Sequence, residues 1–143
     1  MVYYDDAWKE DFGANAVTRA EAVMAVVDEM YSEKDTFKTE IDVNVVGIEN
    51  AKGYDWRLAD WNALFDGSDL VSIAQESSEE ANLYVFLTGK YTGSGSDYFL
   101  GLAYEGVVCD SSRDSRFSIN RYGVGSTKGG DAYTAEVKYG LII

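Results

Sequence analysis

Carboxylates are the potentially reactive side chains that this sequence contains in greatest number. Of its 143 residues, 25 are Asp or Glu, whereas histidine is absent and cysteine occurs once. Two carboxylates at a suitable separation are enough for glycoside hydrolysis, but no pair stands out by its spacing. Carboxylate oxygens also suit Ca²⁺, although no calcium-binding motif is present. The carboxylates therefore define no site, and a charged, solvated surface is their simplest interpretation.

The absence of histidine removes the most common hydrolytic machinery. Ser–His and Cys–His pairs cannot form within this chain, and catalytic zinc loses its most common ligand. The stretch TGSGSD lacks the Gly-Lys-Ser/Thr ending of a phosphate-binding loop. We therefore expect no catalytic residue, no zinc and no other cofactor in the chain as it stands.

Length and charge limit the class of protein. The chain has the length of one domain, spanning 1–143, and a formal net charge of -13. This charge disfavours nucleic acid and anionic membrane surfaces as partners. The single cysteine, Cys109, cannot form an internal disulfide, so it is either a small buried side chain or a thiol with an external partner.

Apolar periodicity predicts the main elements. Large apolar residues recur at helical spacing over about residues 14–33, which predicts a helix. Ile41, Val43 and Val45 alternate with polar residues, as in a half-buried strand. The apolar run Leu83–Leu87 is typical of a central strand covered on both faces.

Shorter segments complete the order of elements. A strand is predicted at 2–4 and a helical turn at 5–12, and helical pieces are predicted near 58–65 and 70–73. The segments LGLAY and RFSINRYG suit two further strands. Alternation of strands and helices predicts an α/β domain with a largely parallel sheet.

Four segments have a more specific pattern: YYDDAWKEDFG, the long helix followed by IDVNVVGIE, YVFLTGK, and LGLAYEGVVC. In this order and spacing they resemble the N-terminal half of a metzincin zinc peptidase, nearest the reprolysin or adamalysin branch. The resemblance implies a twisted, mixed but mostly parallel sheet of about five strands, flanked by two or three helices. It also implies an antiparallel edge strand that pairs with extended substrates. The candidate binding residues are Leu100, Gly101, Leu102, Ala103 and Tyr104.

The C-terminal sequence departs from this family where its chemistry is expected. A segment such as DAYTAEV leads in these peptidases into the helix with His-Glu-x-x-His, but here Val137 is followed by KYGLII. Glu136 lies before the expected motif and is not a candidate catalytic residue. In the reprolysin branch a cysteine at the position of Cys109 bonds to one beyond the zinc helix, so the resemblance implies a lost partner and allows an intermolecular disulfide.

Two hypotheses about function follow. The first is a non-catalytic, extracellular metzincin-like domain, truncated or degenerate at its C-terminus, which binds an extended peptide or other copies of itself, with a fibre as one form of self-assembly. Its assembly tail would be Tyr139, Gly140, Leu141, Ile142 and Ile143, although simple core packing explains this apolar segment equally well. The alternative is the N-terminal portion of a zinc metallopeptidase whose catalytic helix is missing from this chain.

Overall fold

The computed structural model describes residues 1–32, 41–60, 64, 68–90, 92, 101–103 and 116–122. The described residues form one five-stranded sheet with three α-helices against it. The strands are β1 (Val2–Tyr4), β2 (Ile48–Asn50), β3 (Tyr84–Thr88), β4 (Gly101–Ala103) and β5 (Phe117–Arg121). The helices are α1 (Asp6–Phe12), α2 (Ala16–Ser32) and α3 (Ser68–Glu76), with a 3₁₀ turn at Gly13–Asn15.

The strand order is β2-β1-β3-β5-β4. All neighbours are parallel except β4, which runs antiparallel to β5 at the end of the sheet. The predicted fold class, including the antiparallel edge strand, is therefore confirmed.

The first strand enters the helical layer through a tight capped turn. Asp5 has an extended backbone, and its carboxylate accepts a hydrogen bond from the Trp8 amide at 2.8 Å, as an N-cap does. Gly13 ends α1 with a φ of 55°, a left-handed conformation that glycine adopts without steric cost. The chain then continues into α2, which confirms the helix predicted over about residues 14–33.

Each face of the sheet has its own apolar core, because alternate strand residues point to opposite faces. The α2 face combines sheet residues with one side of α1 and α2, namely Val2, Tyr4, Val85, Leu87, Trp8, Ala16, Ala20, Met24 and Val27. The α3 face contains Tyr3, Tyr84, Phe86, Phe117 and Ile119 from the sheet, with Trp56, Leu70 and Ala74. All five residues of β3 are buried, which confirms the predicted central strand at this position.

The prediction of a strand at Ile41, Val43 and Val45 is wrong. Residues 41–47 have no regular secondary structure, and β2 begins only at Ile48, which pairs with Val2. The reason is that the Val43 amide donates to Asp28 Oδ1 on α2 at 2.8 Å, which ties this segment to the helix. Of the three apolar residues, Val43 packs against the α2-face core, whereas Ile41 and Val45 are exposed, so the alternation does not indicate membership of the sheet.

Candidate functional site

The predicted edge strand corresponds to β4, which lies at one edge of the sheet, where a further strand could pair with it. β4 is the last strand in the sheet order and pairs with β5 alone among the described strands. Its register pairs Gly101 with Asn120, Leu102 with Ile119 and Ala103 with Ser118. The outer side of β4 therefore has no strand neighbour within the described part of the chain, and backbone groups on such an edge can pair with an added strand.

β5 fixes the position of this edge. All five of its residues are buried, and it pairs along its whole length with the central strand β3. Phe117 and Ile119 belong to the α3-face core, so Ser118 and Asn120 point to the opposite face. Directly opposite residues of an antiparallel pair share a face, so Gly101 and Ala103 lie on the same face as these two polar residues.

Asn120 is the most distinctive polar residue beside the edge. Its Nδ2 donates to Ser118 Oγ at 3.2 Å, whereas its buried Oδ1 has no hydrogen-bond donor among the described residues. A Cβ atom on Gly101 would come within 3.0 Å of this oxygen, so only glycine leaves it uncrowded. An unsatisfied buried acceptor typically costs about 1–3 kcal/mol, and a donor supplied by a ligand would remove that cost.

Sequence reasoning missed Asn120 as a site residue. The available signal was the alternation Phe-Ser-Ile-Asn in a segment predicted to be a strand, with polar side chains on one face. That pattern is also typical of a strand with one solvated face. Only the structure shows that Ser118 and Asn120 are both buried.

A second polar centre lies at the carboxyl ends of β1 and β3, where ligands of parallel sheets commonly bind. The Asp5 carboxylate accepts hydrogen bonds from the Trp8 amide at 2.8 Å, the Trp56 amide at 2.7 Å and Thr88 Oγ1 at 2.6 Å. We call these four residues the Asp5 corner. Asp5 is completely buried, and its acceptors are occupied within the chain, so the Asp5 corner is a structural joint and not a ligand site.

Two opposing effects act on Asp5. Burial raises the pKa of its carboxyl above the ordinary value, whereas the hydrogen bonds from Thr88, Trp56 and Trp8 act in the opposite direction. The nearby charge of Asp55 raises this pKa further. The corner is therefore a place where pH affects the stability of the fold.

An ion pair cluster closes the surface above this corner. Arg57 bonds to both Asp55 and Glu10, which connects residues 51–60 to α1. The hydrogen bond from Arg57 lowers the pKa of the Asp55 carboxyl, and its two acidic partners raise the pKa of Arg57. Both carboxylates are solvent-exposed, so the cluster positions the loop with a small contribution to stability.

The remaining candidate residues fall outside the described residues: Leu100, Tyr104, Cys109 and the tail Tyr139, Gly140, Leu141, Ile142 and Ile143. Their predicted roles stay predictions. Gly101, Leu102 and Ala103 are the part of the predicted site that the structure brings together.

The residues present do not fit the catalytic zinc of the resembled peptidases. The chain has no histidine. Across the described ranges, no three His, Cys, Asp or Glu side chains are grouped closely enough to hold a metal ion. We therefore propose no reaction step that uses zinc.

The chain matches no family model and has no significant match among curated proteins. Among the helices of the described segments, none has the length and apolar character needed to cross a membrane.

Proposed function

We propose that this chain is a non-catalytic, metzincin-like domain that captures an extended strand along the outer side of β4. The strand belongs either to a peptide or to another copy of the chain. The observation that carries the proposal is the position of β4 at the end of the sheet, next to the fully buried β5. Main-chain hydrogen bonds would supply affinity, and neighbouring side chains would supply specificity.

The pairing of Gly101 with Asn120 suggests how the captured strand is recognised. The Asn120 side chain is 7% exposed, and its Oδ1 lies 3.0 Å from the place of a Cβ on Gly101. A donor entering beside Gly101 would satisfy this oxygen, whereas an apolar group there would not.

The family resemblance supports the proposal in a limited way. A mostly parallel sheet with an antiparallel edge strand is what the four matching segments imply, and the structure has this arrangement. The extracellular location rests on the resemblance alone. Self-assembly further requires that Tyr139–Ile143 of one copy pairs with β4 of the next, and Cys109 would link copies if its thiol is exposed.

Proline substitutions in β4 test capture at the edge, with a labelled synthetic peptide of sequence KYGLII as the probe. Backbone groups of successive residues in a strand point alternately inward and outward. Leu102→Pro and Ala103→Pro therefore remove one N–H that faces β5 and one that faces outward. We expect one variant to keep the thermal unfolding midpoint of the original chain but to lose peptide binding measured by fluorescence anisotropy.

Deletion of residues 138–143 tests self-assembly, with light scattering as the measurement. We expect the full chain to form larger species at high concentration and the deletion to remain monomeric and folded. An unchanged oligomeric state would remove the tail from the proposal. For the proline test described above, normal peptide binding by both Leu102→Pro and Ala103→Pro would show that capture at the β4 edge is wrong.

The alternative is that the chain is the N-terminal portion of a zinc metallopeptidase. The sheet order and antiparallel β4 favour it as much as they favour a binding domain, because substrate strands would use the same edge. Solution behaviour distinguishes the two, because a portion that lacks its catalytic helix would expose a large apolar surface and aggregate, whereas a binding domain would be stable and well folded. Stoichiometric zinc and proteolysis by this chain, abolished by a chelator and restored by the ion, would overturn the non-catalytic proposal.

A further inference from the structure

Residues 41–46 form an apolar surface at the opposite side of the molecule from β4. Four of these six residues are aliphatic, and Ile41, Val45 and Val46 are 46%, 40% and 51% exposed. Single exposed aliphatic residues are ordinary, but several in one short segment indicate an interaction surface. The segment lies beside β2, whereas β4 is at the other end of the strand order.

These residues are one wall of a groove at the amino ends of the parallel strands. The groove has a volume of about 340 Å³, and Val2 of β1, Met24 of α2 and Val85 of β3 contribute to its lining. We call it the amino-end groove. All of the lining side chains that the structure gives are apolar except Asp42, Asn44 and Asn82. The groove therefore offers an apolar surface with polar groups beside it, which is the usual composition of a binding site.

The backbone of this wall is held at only two points. The Ile41 amide donates to the Tyr31 carbonyl at 3.3 Å, and the Val43 amide donates to Asp28 Oδ1 at 2.8 Å. Toward the described residues, the segment from Asp42 to Val46 makes no other backbone hydrogen bond. Within the described part of the chain, its remaining N–H and C=O groups have no backbone partner, and such groups can pair with an added segment.

Charge indicates the chemistry of that segment. Asp42 lines the groove and Asp28 holds its wall, while no Lys or Arg occurs among the described lining residues. The α-amino group of Met1 donates to the Leu83 carbonyl at 3.0 Å, and burial lowers its pKa. A basic partner segment would meet a favourable field here.

We infer that the amino-end groove binds a partner segment in which apolar and basic residues alternate. The apolar side chains would contact Met24, Val45 and Val46, and the basic ones would lie toward Asp28 and Asp42. The same segment of a second copy is a poorer occupant, because residues 41–46 contain Asp42 and no Lys or Arg. The site is independent of the proposed capture at β4.

The probe is a fluorescein-labelled peptide of alternating valine and lysine, about as long as the groove wall, with a valine and glutamate peptide as its counterpart. Val46→Ser removes apolar contact from the wall, and Leu58→Ser is the matched control because Leu58 is 60% exposed outside the groove. We expect Val46→Ser to weaken binding of the basic peptide about tenfold and Leu58→Ser to leave it unchanged. Asp42→Asn should weaken it less and reduce its dependence on salt.

Each other result overturns the inference. Equal binding of the acidic peptide would show that the groove has no preference for a basic segment. Equal effects of Val46→Ser and Leu58→Ser would show that the peptide does not bind in the groove. A dimer lost only in Val46→Ser, without peptide binding, would assign the groove to a second copy. Binding to phosphatidylserine vesicles lost only in Val46→Ser would assign it to a membrane. Normal capture of the KYGLII peptide by Val46→Ser separates this test from that of β4.

Discussion

The two ends of the parallel strands differ in how many of their polar groups are hydrogen-bonded and how much of their apolar surface is buried. At the carboxyl end, one buried carboxylate accepts three hydrogen bonds from residues as distant in sequence as Trp8 and Thr88. At the amino end, Val45 and Val46 remain exposed beside a groove of about 340 Å³. The carboxyl end is the usual ligand site of parallel sheets, but in this chain it is the joint that holds the layers together.

The position of a site within a fold must therefore be judged from polar and apolar groups that have no partner within the fold. The Asp5 corner has the buried titratable group that often indicates function, yet its acceptors are occupied. The amino-end groove leaves apolar surface exposed, and most backbone groups of its wall have no partner among the described residues. We therefore expect substitutions at the corner to change stability and substitutions at the groove to change binding.

The largest expected effect is that of Asp5→Ala. It leaves the Trp8 amide, the Trp56 amide and the Thr88 hydroxyl buried without an acceptor, which should lower the free energy of unfolding by about 4 kcal/mol. Denaturant unfolding measures the loss. Asp6→Ala is the control, because Asp6 accepts one exposed bond from the Gly53 amide, and its effect should stay below about 1 kcal/mol. Equal losses of stability in Asp5→Ala and Asp6→Ala would contradict the role of Asp5 as a structural joint.

Gly89→Ala should have the next largest effect. A Cβ at Gly89 would lie 2.6 Å from the backbone carbonyl of Ala7, so α1 would have to move away from the end of β3. We expect a loss of about 3 kcal/mol in the same unfolding measurement. Gly53→Ala is the matched control: its added Cβ would meet nothing within 4 Å, but its φ of 90° implies a cost of about 1 kcal/mol. A smaller loss at Gly89 than at Gly53 would show that α1 is loosely packed at the corner.

Local sequence pattern was sufficient for the elements that lie deepest in the fold. The apolar run around Phe86 predicted the central strand, and helical spacing predicted α2, because both patterns record burial directly. The alternation at Ile41, Val43 and Val45 misled because only Val43 packs against the α2-face core, whereas Ile41 and Val45 are exposed. No local pattern distinguishes a helix from a sheet as the packing partner of such a residue.

The functional geometry was less accessible from the sequence. The edge strand was expected because the segment LGLAY resembles the edge strand of metzincin peptidases, and the structure has β4 at that edge. The role of Asp5 depends on donors at Trp56 and Thr88, which are 51 and 83 residues away along the chain. The fold brings these distant residues together, so the local sequence around Asp5 shows only an acidic residue before an aromatic turn.

A pH experiment tests the difference between the two ends, because among the described residues only the Asp5 corner contains a completely buried acid. Burial raises the pKa of Asp5 in the folded chain, so the folded state holds this proton more tightly than the unfolded state. The resulting stabilisation is fully present below the ordinary value of about 3.9 and is lost as pH rises through the raised value. Asp5→Asn removes this titration, so the advantage of the original chain over the variant should shrink as pH rises from about 4. An advantage that is constant between about pH 4 and 7 would mean that Asp5 titrates normally.

The smallest expected effect is at the groove wall, and it tests the other half of the comparison. Val45 is 40% exposed, so Val45→Ser should lower the free energy of unfolding by at most about 0.5 kcal/mol. Val27→Ser makes the same change at a residue of α2 that is 3% exposed, where lost packing and a buried hydroxyl should cost about 3 kcal/mol. Thermal and denaturant unfolding of the two variants measure these two losses of unfolding free energy. If Val45→Ser costs as much as Val27→Ser, the wall is part of the packed interior, and its aliphatic residues do not need a partner to explain them.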